Sequence, residues 1–157
     1  MSQDLLLRGG RIVDPSQGMD TIGDVLLRDG RVEACGTGIG TPDGADVIDV
    51  SGMVVTPGMI DVHIHLREPG REDSETVATG SMAAAKGGFT AISAMANTFP
   101  VADTAGVVEQ VYRLGQEAGF CDVFPIGAVT QGLAGKSLAE LGAMANSKAT
   151  VRIFSDD

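Results

Sequence analysis

From Thr56 onward the chain repeats one rhythm: a short β-branched run, a loop, then an amphipathic helical stretch. Period-two apolar runs predict strands over residues 59–65, 89–95, 122–129 and 150–154. A first helix is expected to start near Asp73 or Ser74, where Glu72, Asp73 and Glu75 suit the positive end of a helix dipole, and to close at Gly87-Gly88. Asp103-Thr104 can cap a second helix, with Val107, Val108, Val111 and Leu114 as its apolar face and Gly119 as its end. Ser137-Leu138-Ala139-Glu140 reads as a capping box before a third, with Leu138, Leu141 and Met144 on one stripe. Strands joined through helices pair in parallel, so the expected class is α/β: three βα units followed by a fourth strand.

The first 55 residues read differently, as short strands and turns. Leu5 to Val13 is echoed by Val25 to Val32, each with a two-residue glycine-containing turn, Gly9-Gly10 and Asp29-Gly30. Asp29-Gly30 is a strong hairpin signal, because both central residues of a type I′ turn need positive φ. Residues 36–44 form a Gly/Thr/Pro loop, and 47–50 and 53–55 are further short strands. The expected product is a small antiparallel β unit over 1–55 that serves as scaffold, beside a second domain over 56–157.

Both histidines of the chain, His63 and His65, lie in the first strand of the second domain. Residues i and i+2 of a strand share a face, so the two imidazoles project together, with Asp61 on their side and Ile60, Val62 and Ile64 on the other. Such a pair can hold a divalent metal, although a His-x-His in an arbitrary strand is a weak signal and is more often a hydrogen-bonded core histidine. Its surroundings favour the metal. Pro57-Gly58 marks the strand start, Arg67 follows two residues after the pair, and Glu68-Pro69-Gly70 forces a loop at the strand end. The C-terminal end of a parallel strand is the active-site edge of a (β/α)8 barrel.

Pro57-Gly58-Met59-Ile60-Asp61-Val62-His63-Ile64-His65-Leu66-Arg67-Glu68-Pro69-Gly70 closely resembles the first barrel strand of the cyclic amidohydrolases, and among them of the dihydroorotase family. The resemblance implies the N-terminal part of a TIM-like (β/α)8 metal-dependent hydrolase barrel, preceded by part of a β-sandwich. It implies one or two zinc ions, with His63 and His65 as ligands. Phe154-Ser155-Asp156-Asp157 resembles the version of the fourth strand in which the second aspartate bridges the metals, which points to Asp157. By itself Asp156-Asp157 would pass for an ordinary acidic loop. Arg67 matches the arginine that grips the substrate carboxylate, though an arginine there could simply be solvated. Met95-Ala96-Asn97-Thr98 resembles the family's Met-Pro-Asn-Thr, which makes Asn97 a second carboxylate contact; alanine stands where the family has proline. His65 is also a substrate-side residue on this reading.

The implied activity is interconversion of L-dihydroorotate and N-carbamoyl-L-aspartate in de novo pyrimidine (UMP) synthesis. The family's general-base aspartate and two more metal histidines come from later strands. No catalytic base is therefore expected within these 157 residues, and a whole barrel needs about 250. The chain alone is expected to be inactive, and to associate with itself or with its missing C-terminal portion. Hydantoinase or allantoinase chemistry uses the same scaffold, but a bridging lysine is absent from strand four; Lys148 precedes it. A non-catalytic subunit supporting aspartate transcarbamoylase is a further alternative, which the intact ligand positions disfavour.

Composition excludes other classes. A net charge of −10 repels phosphate backbones, so a small-molecule substrate fits better than nucleic acid. No run of about 18 apolar residues suggests a membrane span. Gln3 and Asp4 interrupt any signal-peptide core. Cys35 and Cys121 form no metal or redox motif, which suits a reduced, cytoplasmic setting.

Overall fold

The computed structural model describes residues 4–157. Gln3, on which part of the signal-peptide expectation rests, lies outside them. The chain forms two compact units, one up to Pro57 and one from Gly58 to Asp157.

The first unit is a five-stranded sheet. Strands β1 (Leu5–Asp14), β2 (Met19–Arg28) and β3 (Arg31–Gly36) run antiparallel in the order β3-β2-β1. Asp29 and Gly30, at φ 50° and 73°, make the predicted turn between β2 and β3. Gly9-Gly10, however, is no turn. It sits inside β1 at a register shift between Leu7 and Gly10, and the Gly9 N–H donates to the Asp24 carboxylate at 3.0 Å. A bulge absorbs the extra residue and the strand runs on. The β1–β2 connection is instead Pro15–Gln17, closed by Gly18. Nor is the sheet purely antiparallel, since β4 (Asp46–Asp49) and β5 (Val54–Val55) both pair parallel to β1.

The second unit carries a three-stranded parallel sheet, β6 (Met59–Ile64), β7 (Phe89–Ala94) and β8 (Asp122–Pro125), in the order β6-β7-β8. Helices α1 (Val77–Lys86) and α2 (Ala105–Ala118) connect them. Val108 and Val111 of α2 are fully buried, as the apolar spacing requires. Val111 joins Val77, Ile92 and Val123 in the helix–sheet core. Gly115 permits this approach, because a Cβ there would lie 2.5 Å from that of Val123.

Helix α1 begins later than its acidic run suggests. Thr76 is the N-cap: its hydroxyl accepts from the Thr79 N–H, and the Thr79 hydroxyl accepts from the Thr76 N–H. The carboxylate at this N-terminus is that of Glu68, which accepts from the Val77 N–H at 2.7 Å. Thr76→Ala is therefore expected to cost about 1 kcal/mol, read as a lower urea midpoint at unchanged slope.

Two further predictions need correction. Ser137 caps nothing. Gln131 and Ala139 donate to the backbones of Ser137 and Val129, Leu138 pairs with Thr130 in an isolated antiparallel bridge, and Leu138 stays 66% exposed. Helix α3 is only Leu141–Ala145. The fourth strand is reduced to one parallel bridge, Phe154 to Gly127, although Ser155 donates to the Gly127 carbonyl in continuation. Among the described residues no helix is long and apolar enough to cross a membrane.

Candidate metal centre

His63 and His65 come at the C-terminal end of β6. Their ring centroids are 5.3 Å apart and the rings are inclined at 69°. The strict alternation that would carry Asp61 onto their face is interrupted by a register shift between Asp61 and Ile64 against β7. Asp61 lines a recess with Ile64, His65, Leu66 and Ile92, beside Gly80 and Ala84 of α1. Ile60 and Val62 line a separate recess with Ser93, Phe124 and Ile153. The Asp61 carboxylate accepts from the His63 N–H at 3.0 Å, supporting the irregular backbone.

Asp157 reaches the same place from the far end of the unit. Its Oδ1 lies 3.4 Å from His63 Nε2 and 3.9 Å from His65 Nε2. One donor atom from each residue falls within 4.8 Å of the others. Asn97, in the loop after β7, joins this group. Its amide nitrogen donates to Asp157 Oδ2 at 2.9 Å and its oxygen faces His65 Nδ1 at 2.9 Å. Two imidazole nitrogens and a carboxylate oxygen are a donor set that zinc accepts, and their spacing lets one ion meet all three.

Asp156 turns the other way. Its carboxylate accepts from the N–H groups of Val129 and Thr130 and from the Thr130 hydroxyl, at 2.9, 2.9 and 2.6 Å. The Thr130 hydroxyl chiefly, with the two N–H groups, holds its carboxyl below the usual range. A depressed folded value adds stability above the unfolded pKa of about 3.9, which is lost as pH falls through the folded value. The melting temperature of Asp156→Asn is thus expected to fall less steeply than wild type below about pH 4. This anchoring role was not legible in the sequence, because Thr130 carries no motif.

Arg67 is exposed and takes φ 61°, left-handed for a non-glycine residue. Among the described residues its guanidinium makes no hydrogen bond or ion pair. The loop that carries it is tied to the Asn97 loop, since the Phe99 N–H donates to the Pro69 carbonyl at 2.9 Å.

The sequence model of the dihydro-orotase-like family matches residues 52–157. The chain belongs to that family. It is 60% identical over 154 residues to a dihydroorotase of Streptomyces coelicolor, covering 97% of this chain and 34% of that protein. A dihydroorotase of Mycobacterium tuberculosis is 55% identical over 134 residues, covering 85% and 31%. One from Geobacter sulfurreducens is 47% identical over 139 residues, covering 88% and 33%. The chain thus spans about a third of the length of the curated relatives it matches. Among solved structures, a D-hydantoinase (dihydropyrimidinase) from Thermus sp. superposes with TM-score 0.58 at 28% identity, covering 80% of this chain and 28% of that one. An L-hydantoinase from Arthrobacter aurescens, at 24% identity and TM-score 0.68, shares the fold over 84% of this chain and 29% of its own. Members of this amidohydrolase superfamily are metal-dependent, and His63, His65 and Asp157 form a candidate site of that kind.

Proposed function

We propose that the chain is the N-terminal part of a zinc-dependent cyclic amidohydrolase that interconverts L-dihydroorotate and N-carbamoyl-L-aspartate in pyrimidine synthesis, in the cytoplasm. The convergence of His63, His65 and Asp157 at the end of a parallel strand carries this reading. The dihydroorotases at 47–60% identity support the substrate. The second unit would be the first half of a (β/α)8 barrel and the first unit part of a β-sandwich, with the division near residues 55–56. Exposed Ile60, Val62, Phe124 and Ile153 suit an inner barrel face that further polypeptide covers. Unpaired sheet edges also favour self-association, and an aspartate transcarbamoylase partner would add to it.

His63, His65 and Asp157 would hold the zinc. Zinc held there would supply Lewis acidity and lower the pKa of water to about 7, the chemistry that opening a cyclic amide needs. Arg67 presents a planar fork suited to the substrate carboxylate, and Asn97 offers a second N–H to the same group. With His65 alongside, they orient the ring amide towards the metal centre. Proton transfer to the ring nitrogen requires a general acid or base from the remaining polypeptide.

The hydantoinase structures favour hydantoin hydrolysis as a second reading. Assay of the complete polypeptide on L-dihydroorotate and on hydantoin separates the two. Turnover of dihydroorotate alone is expected, together with no turnover by residues 1–157 in isolation. Exclusive turnover of hydantoin would overturn the proposal.

A further inference from the structure

We propose that Asn97 is a positioning residue of the metal centre, fixing the tautomer of His65 and the orientation of Asp157; this rests on the zinc-site reading above. The argument begins at Asp157. A carboxylate only accepts hydrogen bonds, so the group facing Asp157 Oδ2 at 2.9 Å must be the amide nitrogen of Asn97. The amide oxygen is thereby turned to His65 Nδ1, also at 2.9 Å. An amide oxygen only accepts, so Nδ1 must carry the imidazole proton. In the neutral ring that leaves the lone pair on Nε2, the atom that approaches Asp157 Oδ1. One side chain thus selects the ligating nitrogen of one residue and steers the carboxylate of another, 60 positions away in the chain.

The loop is built to hold that amide still. Ala96, immediately before it, is fully buried, and its carbonyl accepts from the Ala102 N–H at 3.0 Å. The Met95 N–H donates to the Ile64 carbonyl at 2.8 Å, tying the loop to the strand that carries both histidines. Thr98 closes the turn by donating its hydroxyl to the Pro100 carbonyl at 2.7 Å. Asn97 has a second N–H, so holding Asp157 does not exclude a contact with substrate.

The test uses the complete polypeptide, stripped of metal and labelled with 15N-histidine. The His65 resonances are identified by their loss in His65→Ala. In the metal-free wild type, imidazole 15N shifts are expected to show His65 protonated on Nδ1. Asn97→Leu, similar in shape but without hydrogen-bonding groups, is expected to move the proton to Nε2. The same variant is expected to weaken zinc binding by about 10- to 100-fold in competition with a chelator. Wild-type His65 protonated on Nε2 would overturn the proposal without any variant. So would unchanged zinc affinity in Asn97→Leu when His65→Ala loses it, which leaves the metal centre itself standing. Full zinc affinity in His65→Ala would remove the zinc-site reading and this inference with it.

Discussion

Asp157→Ala is expected to leave the complete polypeptide with less than one zinc per chain and to lower its turnover of dihydroorotate at least about a thousandfold. The magnitude follows from what the metal would supply: without it, the pKa of water rises from about 7 towards its far higher bulk value. Asp157 is the residue to change because it meets both histidines and Asn97. Its two oxygens face His63, His65 and Asn97. Its neighbour is the control. Asp156 spends its carboxylate on Val129 and Thr130, so Asp156→Ala should lose stability and keep its zinc. Metal analysis and kcat/KM on both variants give the answer. Full zinc and undiminished turnover in Asp157→Ala would remove the basis of the proposed mechanism.

What could be read from the sequence was set by short-range geometry. The Asp29-Gly30 turn, the buried face of α2 and the pairing of His63 with His65 each depend on residues a few positions apart. The misses depend on partners far along the chain. Gly9-Gly10 looks like a turn until β1 is seen running through it, with Asp24 holding the bulge. Ser137 looks like a cap until Thr130 and Val129 claim its neighbours as partners. Strict alternation put Asp61 beside the histidines. One irregular residue between Asp61 and Ile64 breaks that alternation, and Asp61 lines a recess against α1 together with His65 but not His63. Periodicity offered no reason to join Asp157 to the histidines; only the likeness of Phe154-Ser155-Asp156-Asp157 to a known strand did. The role of Asn97 towards His65 was not visible at all, because it is a matter of which amide atom faces which neighbour.

Gly70→Ala tests whether the Arg67 and Asn97 loops act as one unit. Gly70 sits at φ 104°, where a side chain is strained by about 1–3 kcal/mol. A Cβ there would also lie 2.1 Å from the Phe99 carbonyl oxygen and 2.6 Å from the Phe99 Cβ. Backbone cannot yield as a flexible side-chain tip can, and overpacking of this kind costs about another 1–3 kcal/mol. The cheapest escape is for the two loops to part, breaking the bond from the Phe99 N–H to the Pro69 carbonyl. Arg67 lies three residues before Gly70 and Asn97 two before Phe99, so parting moves both proposed carboxylate contacts. A displacement of about 1 Å can cost about a hundredfold in rate. At saturating zinc, Gly70→Ala is therefore expected to keep its metal, because His63 lies in β6 and His65 directly follows it, yet to lose about a hundredfold in kcat/KM. Gly106→Ala is the matched control: it lies within α2 with open space around its Cα, and alanine there should stabilise by about 0.5–1 kcal/mol. Equal effects of the two substitutions on kcat/KM would show that the contact between the loops does not position the substrate.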